Sequence, residues 1–320
     1  MALDEATQGF LRGMADSTPP GTPPMWEMTA EQARAASAGL KNLYGAGPDM
    51  HRVEDHEIEA IDGGSFRARI LVPSGAPDAV LVYYHGGGWV LDGLDGYDTL
   101  GRQLAMKSGA AVVLVEYRKA PEHPFPVPVE DAWAGLEWTA GRIDSIAGSP
   151  VPLFVAGDSA GGNLAAIVTH RARDRQGPEI AGQVLVYPAT DADLGRASYL
   201  EPENQSFLTT EFMAWFWNHY LPQEAERTHP EASPLRAASL ASLPPALVLT
   251  AEHDVLRDEG EEYAQRLVEA GVPVVHRRWE GQMHAFFTMV NILPASAEAI
   301  DLVAGHVRER AAEAQAALAP

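Results

Sequence analysis

The chain has 320 residues, with 44 acidic side chains against 23 basic ones, a formal net charge of −21, and no cysteine. The charge argues against a nucleic-acid partner, which needs a basic footprint, and against docking on anionic membranes. The missing cysteine removes disulfides, thiolate metal sites and thiol nucleophiles.

No apolar stretch approaches the ~20 residues of a membrane-spanning helix, so no membrane insertion is expected. The acidic start Leu3-Asp4-Glu5 lacks the basic region and apolar core of a signal peptide, which points to a cytoplasmic protein. The first 50 residues differ in composition from the rest of the chain. Residues 10–14 and 29–43 read as helices, the second opened by Thr29 with Gln32 three positions on, a capping pair. Between them, Thr18-Pro19-Pro20-Gly21-Thr22-Pro23-Pro24 fits neither helix nor central strand. Strands are predicted at 53–61, 65–72, 80–84, 111–117, 153–156, 183–187, 247–250 and 274–279. Apolar runs of this kind with helices between them predict a mostly parallel α/β sheet of about eight strands, covered on both faces.

The residues able to do chemistry stand at the ends of those strands. After the third strand comes His85-Gly86-Gly87-Gly88-Trp89. Consecutive glycines let backbone N–H groups point into a cavity, as an acyl-transfer site requires where an oxyanion forms. Trp89, next to that loop, is a candidate pocket wall. After the fifth strand comes Gly157-Asp158-Ser159-Ala160-Gly161, and residues 163–169 continue as a helix. Strand, sharp turn and helix are the setting in which this spacing presents a nucleophilic serine. Residues 191–230 then read as a second cap segment. Its helix, 209–221, is rich in aromatic side chains, and Phe212 and Trp215 are candidates for lining a pocket over Ser159. The seventh strand runs into Glu252-His253-Asp254, and the eighth into Gln282-Met283-His284. A serine nucleophile needs an imidazole to take its proton and a carboxylate to orient that imidazole. His284 is preferred over His276, which lies within a strand, over His253, which precedes any turn, and over His85, which braces the glycine loop. Asp254 is preferred over Glu252 and over Asp258, which falls inside the helix predicted at 258–270.

These motifs resemble the hormone-sensitive-lipase-like branch of α/β-hydrolase carboxylesterases, also called bacterial family IV. The matching residues are the glycine loop, Tyr117-Arg118-Lys119-Ala120-Pro121-Glu122-His123-Pro124-Phe125-Pro126, the serine pentad with Gly162, Asp254-Val255-Leu256-Arg257-Asp258-Glu259-Gly260, and His284-Ala285-Phe286. Val255 stands where many relatives carry proline and Ala285 where many carry glycine. The resemblance implies an α/β-hydrolase fold with a helical cap, and a catalytic triad of Ser159, Asp254 and His284. It further implies oxyanion-hole donors from Gly87, Gly88 and Ala160; Asp158 joins Trp89, Phe212 and Trp215 as a candidate for the substrate pocket. It implies no metal and no organic cofactor. The cap is expected at 1–50 and 191–230, with the core at 51–190 and 231–320.

The expected activity is hydrolysis of short- to medium-chain carboxylic esters through an acyl-enzyme. The partner is then a small-molecule ester, with a homodimer left open. The same triad would also serve lactones, amides or carbamates. Plant gibberellin receptors resemble this family without the triad histidine, so an intact Ser159, Asp254 and His284 argue against a purely binding role.

Overall fold

The computed structural model describes residues 2–39, 41–73 and 75–318. Eight strands form one sheet: β1 (Arg52–Glu59), β2 (Ser65–Val72), β3 (Val80–Tyr84), β4 (Ala111–Glu116), β5 (Leu153–Asp158), β6 (Gly182–Val186), β7 (Ala246–His253) and β8 (Val274–Met283). Their order is β1-β2-β4-β3-β5-β6-β7-β8. The first two pairings, β1 with β2 and β2 with β4, are antiparallel, and every later one is parallel. This is the α/β-hydrolase fold that the resemblance implied, and the alternation of apolar runs and helices foretold its mostly parallel sheet. β3, β5 and β6 are buried along their whole length, because helices cover both faces and no residue can point to water.

The predicted strands match the observed ones closely, but the N-terminal helices differ. The expected helix at 10–14 is the longer Glu5–Ser17, started by Asp4, whose carboxylate accepts from the Thr7 N–H at 2.7 Å. The expected helix at 29–43 is two pieces, Ala30–Ser37 and Lys41–Tyr44. Gly39, a poor helix former, lies between them, and residue 40 lies outside the described residues. The capping pair is present, Thr29 and Gln32 each accepting from the other's backbone N–H.

The centre of the sheet carries its tightest turn. β5 passes directly into the helix Ala160–Arg175 through Ser159, which sits at φ 54° and ψ −118°. That reversal brings backbone against backbone. A methyl group on Gly161 would stand 1.9 Å from the Tyr84 carbonyl oxygen, and one on Gly157 would stand 2.2 Å from the Gly161 oxygen. Glycine is therefore required at both positions. The helix is then pinned by Asn163, whose amide donates to Ala189 O and Ala232 O, both at 2.8 Å. Gly161→Ala should lower stability by at least ~3 kcal/mol or prevent folding, the scale of a severe steric clash. Urea denaturation would check this, and wild-type stability in the variant would contradict the turn geometry.

Candidate active site

Three strand ends meet at the centre of the sheet. β5 delivers Ser159, the end of β7 delivers Asp254, and the end of β8 delivers His284. His284 Nε2 stands 3.0 Å from Ser159 Oγ, and its Nδ1 stands 2.7 Å from Asp254 Oδ2. In the tautomer this line favours, Nδ1–H donates to the carboxylate and Nε2 accepts from the serine hydroxyl. Asp254 is fully buried, and its other oxygen accepts from the Leu256 N–H at 2.9 Å. Ala285, immediately after His284, lies at φ 69°, the left-handed region that glycine enters more easily.

The rival groups lie elsewhere. Glu252 accepts from the Gly281 N–H at 2.7 Å, and Asp258 accepts from the Ser198 N–H at 2.8 Å. His276 meets the Thr250 hydroxyl at 3.1 Å. His85 stacks on Tyr117 with ring centroids 4.3 Å apart. Burial, aided by the nearby Lys119 charge, pushes its pKa down to about 3, so it is a neutral brace.

Gly87 and Gly88 face the serine across the cavity at φ 94° and 60°. Their N–H groups, and that of Ala160 at the start of its helix, donate no hydrogen bond among the described residues. All three are free to meet a developing negative charge.

Asp158 lines the cavity as expected and has a second, structural role. It touches the cavity, but its carboxylate is saturated. Oδ1 accepts from the Tyr83 hydroxyl at 2.9 Å and from the Gly86 N–H at 3.1 Å, and Oδ2 accepts from the Tyr97 hydroxyl at 2.9 Å. Asp158 therefore ties the serine turn to the glycine loop. Burial pushes its pKa up to about 6, against the hydroxyl hydrogen bonds that pull it down.

The cavity above Ser159 measures 350 Å³. Its apolar wall is Met25, Phe207, Leu208, Phe212 and Phe216. Phe212 stands where expected, but Trp89 and Trp215 do not. Trp89 is fully buried behind the glycine loop, stacked on Tyr220 with centroids 4.2 Å apart. Its left-handed backbone, φ 60°, turns it away from the serine. The Trp215 indole N–H donates to Met28 O at 3.2 Å, so that ring holds the N-terminal segment against the aromatic helix. Phe216 lines the cavity instead. It lies one helical turn from Phe212, so the i, i+4 spacing carried the signal for it.

Within the N-terminal segment, Met25, Arg34, Ser37, Ala38 and Tyr44 reach the cavity, while the helix Glu5–Ser17 packs on β8, which leads into His284. Asp4 accepts from the Gln282 amide at 2.7 Å, two positions before His284. Arg34 fastens the cavity part, with Nε donating to Val90 O at 2.8 Å and Nη2 to Glu122 at 2.6 Å. Among the described residues, no group of His, Asp and Glu is arranged to hold a metal ion, and no helix is long and apolar enough to cross a membrane.

A serine hydrogen-bonded to an imidazole that a buried carboxylate orients, with free N–H donors facing it, suits nucleophilic acyl transfer. The family model described as alpha/beta hydrolase fold matches residues 81–288. The carboxylesterase NlhH of Mycobacterium tuberculosis is 39% identical over 274 residues, 84% of this chain and 86% of the relative. The ester-hydrolase EH1AB1 from the Lake Arreo metagenome, solved with a derivative of bipyridine phosphonate, superposes with a TM-score of 0.90 at 35% identity, covering 96% of this chain and 98% of its own. The hyperthermophilic esterase of Pyrobaculum calidifontis gives a TM-score of 0.88 at 39% identity, covering 97% and 99%. The chain belongs to the α/β-hydrolase family, in its hormone-sensitive-lipase-like branch of carboxylesterases.

Asp158→Ala should loosen the glycine loop relative to the serine and lower kcat by about 10²-fold, the effect of losing one oxyanion donor. Reaction of Ser159 with a small phosphonate should persist. Steady-state kinetics beside phosphonate labelling would test this, and an unchanged kcat would count against the tie.

Proposed function

We propose that this carboxylic ester hydrolase cleaves esters of short to medium acyl chains through an acyl-enzyme on Ser159. The observation that carries this reading is the unbroken line from Asp254 through His284 to Ser159, with contacts of 2.7 and 3.0 Å. Ser159 Oγ attacks the ester carbonyl while His284 Nε2 takes its proton, and Asp254 stabilises the resulting imidazolium. The carbonyl oxygen, now negative, accepts from the N–H groups of Gly87, Gly88 and Ala160. Collapse of the tetrahedral intermediate breaks the bond to the alcohol oxygen, which leaves with the proton from His284. Water, deprotonated by the same imidazole, then attacks the acyl group and returns the serine hydroxyl.

The size of the cavity supports the acyl-length reading. At 350 Å³ it lies near the lower end of the roughly 300–1,000 Å³ usual for small-molecule sites. The relatives named carboxylesterase and ester-hydrolase support the bond type. In this reading residues 1–50 and 191–230 act together as the cap. Contacts between them agree with that, such as Trp26 against Phe212 with centroids 6.0 Å apart.

Ser159→Ala and His284→Ala should each lower kcat by at least ~10³, the scale of losing a triad member. Near wild-type turnover by either folded variant on a chromogenic acetate or butyrate ester would overturn the mechanism. Phe212→Ala and Met25→Ala should open the cavity wall and move the kcat/KM optimum toward longer acyl chains. An ester series of increasing acyl length reads this directly, and an optimum that stays in place in both variants would remove the cap from substrate selection.

A further inference from the structure

One acidic side chain in the catalytic cavity has no role in the mechanism above. Asp92 follows the glycine loop by four residues and stands open to the cavity. Its backbone is left-handed, at φ 60°, a conformation that aspartate enters at some cost. The carboxylate is thereby turned back onto the loop. A methyl group on Gly87 would stand 3.0 Å from Asp92 Oδ2, and one on Gly96 would stand 3.5 Å from Oδ1. Asp92 thus lies beside the glycine whose N–H is assigned to the oxyanion hole.

The other charged groups around the cavity are engaged. Arg34 is held by Glu122, and the Arg67 guanidinium meets Glu116 at 2.6 Å. Lys119 shares Glu116, at 3.6 Å, and Asp95 faces Arg69 at 3.5 Å. Asp158 is saturated by Tyr83, Tyr97 and Gly86. Asp92 accepts no hydrogen bond among the described residues, and only the more distant Lys119 charge favours its ionised form. The surrounding cavity walls weaken its hydration and push its pKa up to about 6, which leaves it a carboxylate at pH 7.5.

We propose that Asp92 is a specificity-determining residue that receives a cationic ammonium group on the ester substrate. The proposal rests on the ester-hydrolase reading above and narrows its substrate class. A carboxylate beside the oxyanion hole opposes the negative charge that forms there. A substrate that brings a cation to Asp92 supplies the missing partner and removes that opposition at the same moment. Its gain is therefore larger in the transition state than in the ground state, which is what raises kcat/KM. Phe207, Phe212 and Phe216 line the same cavity, and aromatic rings are neighbours that a cation tolerates. The net charge of −21 draws cations toward the protein.

The test uses two pairs of esters in which a cation replaces a neutral group of the same shape. On the acyl side these are methyl 4-aminobutanoate and methyl pentanoate. On the alcohol side they are acetylcholine and 3,3-dimethylbutyl acetate. At pH 7.5 both cations are charged, since the primary ammonium of the 4-aminobutanoate titrates near ~10 and the quaternary ammonium of acetylcholine carries no proton to lose. Wild type, Asp92→Asn and Asp92→Gly are compared, because both substitutions accept the left-handed backbone. The ratio of kcat/KM for the cationic member to that for the neutral member should fall at least tenfold in both variants for one of the pairs. A ratio unchanged in both pairs overturns the assignment of Asp92 and leaves the hydrolase reading standing. Failure of the wild-type enzyme to hydrolyse any of the four esters overturns both.

Discussion

The geometry of the site depends on a contact between two stretches of backbone. The helix Ala160–Arg175 can begin where β5 ends only because Gly161 lies directly on the Tyr84 carbonyl, with no room for a Cβ. That approach holds Ser159 at φ 54° and sets the Ala160 N–H, which has no acceptor among the described residues, next to the serine in the chain. Nucleophile and donor are thus fixed by one turn, and neither depends on a mobile side chain. Pre-organisation of this kind costs nothing at the moment of reaction, which is why it serves a developing oxyanion better than a flexible donor would.

The other two members of the line come from strand ends far away in sequence, and each carries its own bracing. Asp254 is held by the Leu256 N–H at 2.9 Å. The end of β8 just before His284 is tied by Glu252 to Gly281 and by Asp4 to Gln282. Glu259, buried one turn into the helix Arg257–Glu269, accepts from the Thr190 N–H at 2.8 Å and fastens the loop after β6 beneath them. Reactive groups that must lie about 3 Å apart lose much of their effect when displaced by 1 Å. The bracing explains why so many polar side chains around the site touch backbone rather than cavity.

Strand positions and the catalytic line were legible in the sequence because both rest on local rules. Buried strands need unbroken apolar runs, and the turn around Ser159 needs glycine at Gly157 and Gly161. The cavity wall was less legible, because it depends on directions that no local pattern encodes. Trp89 adjoins Gly88 in the chain, yet a left-handed φ turns its ring to the far side of the loop. Trp215 and Phe216 are neighbours on one helix, but helical phase sends the first to Met28 and the second over Gly88. The split of the N-terminal segment into a brace and a wall was hidden for the same reason. Asp4 and Gln282 are separated by most of the chain, and nothing in either neighbourhood announces the pairing.

The two aspartates near the oxyanion donors show how environment, more than residue type, assigns a role. Asp158 is buried under the serine turn, and a carboxylate there could compete with the substrate oxyanion for N–H groups. It does not, because its oxygens are taken up by two tyrosine hydroxyls and by Gly86, the glycine-loop residue that points away from the serine. Its charge is spread over donors on β3 and on the helix Leu94–Ser108, so it fastens the loop without drawing on Gly87, Gly88 or Ala160. Asp92 approaches the same loop from the cavity side with no comparable set of donors. A carboxylate left in that state is tolerated only where water or a ligand can reach it, and the cavity supplies that access. Of the two, Asp158 therefore belongs to the scaffold that ties the serine turn to the glycine loop, and Asp92 to the open wall of the cavity.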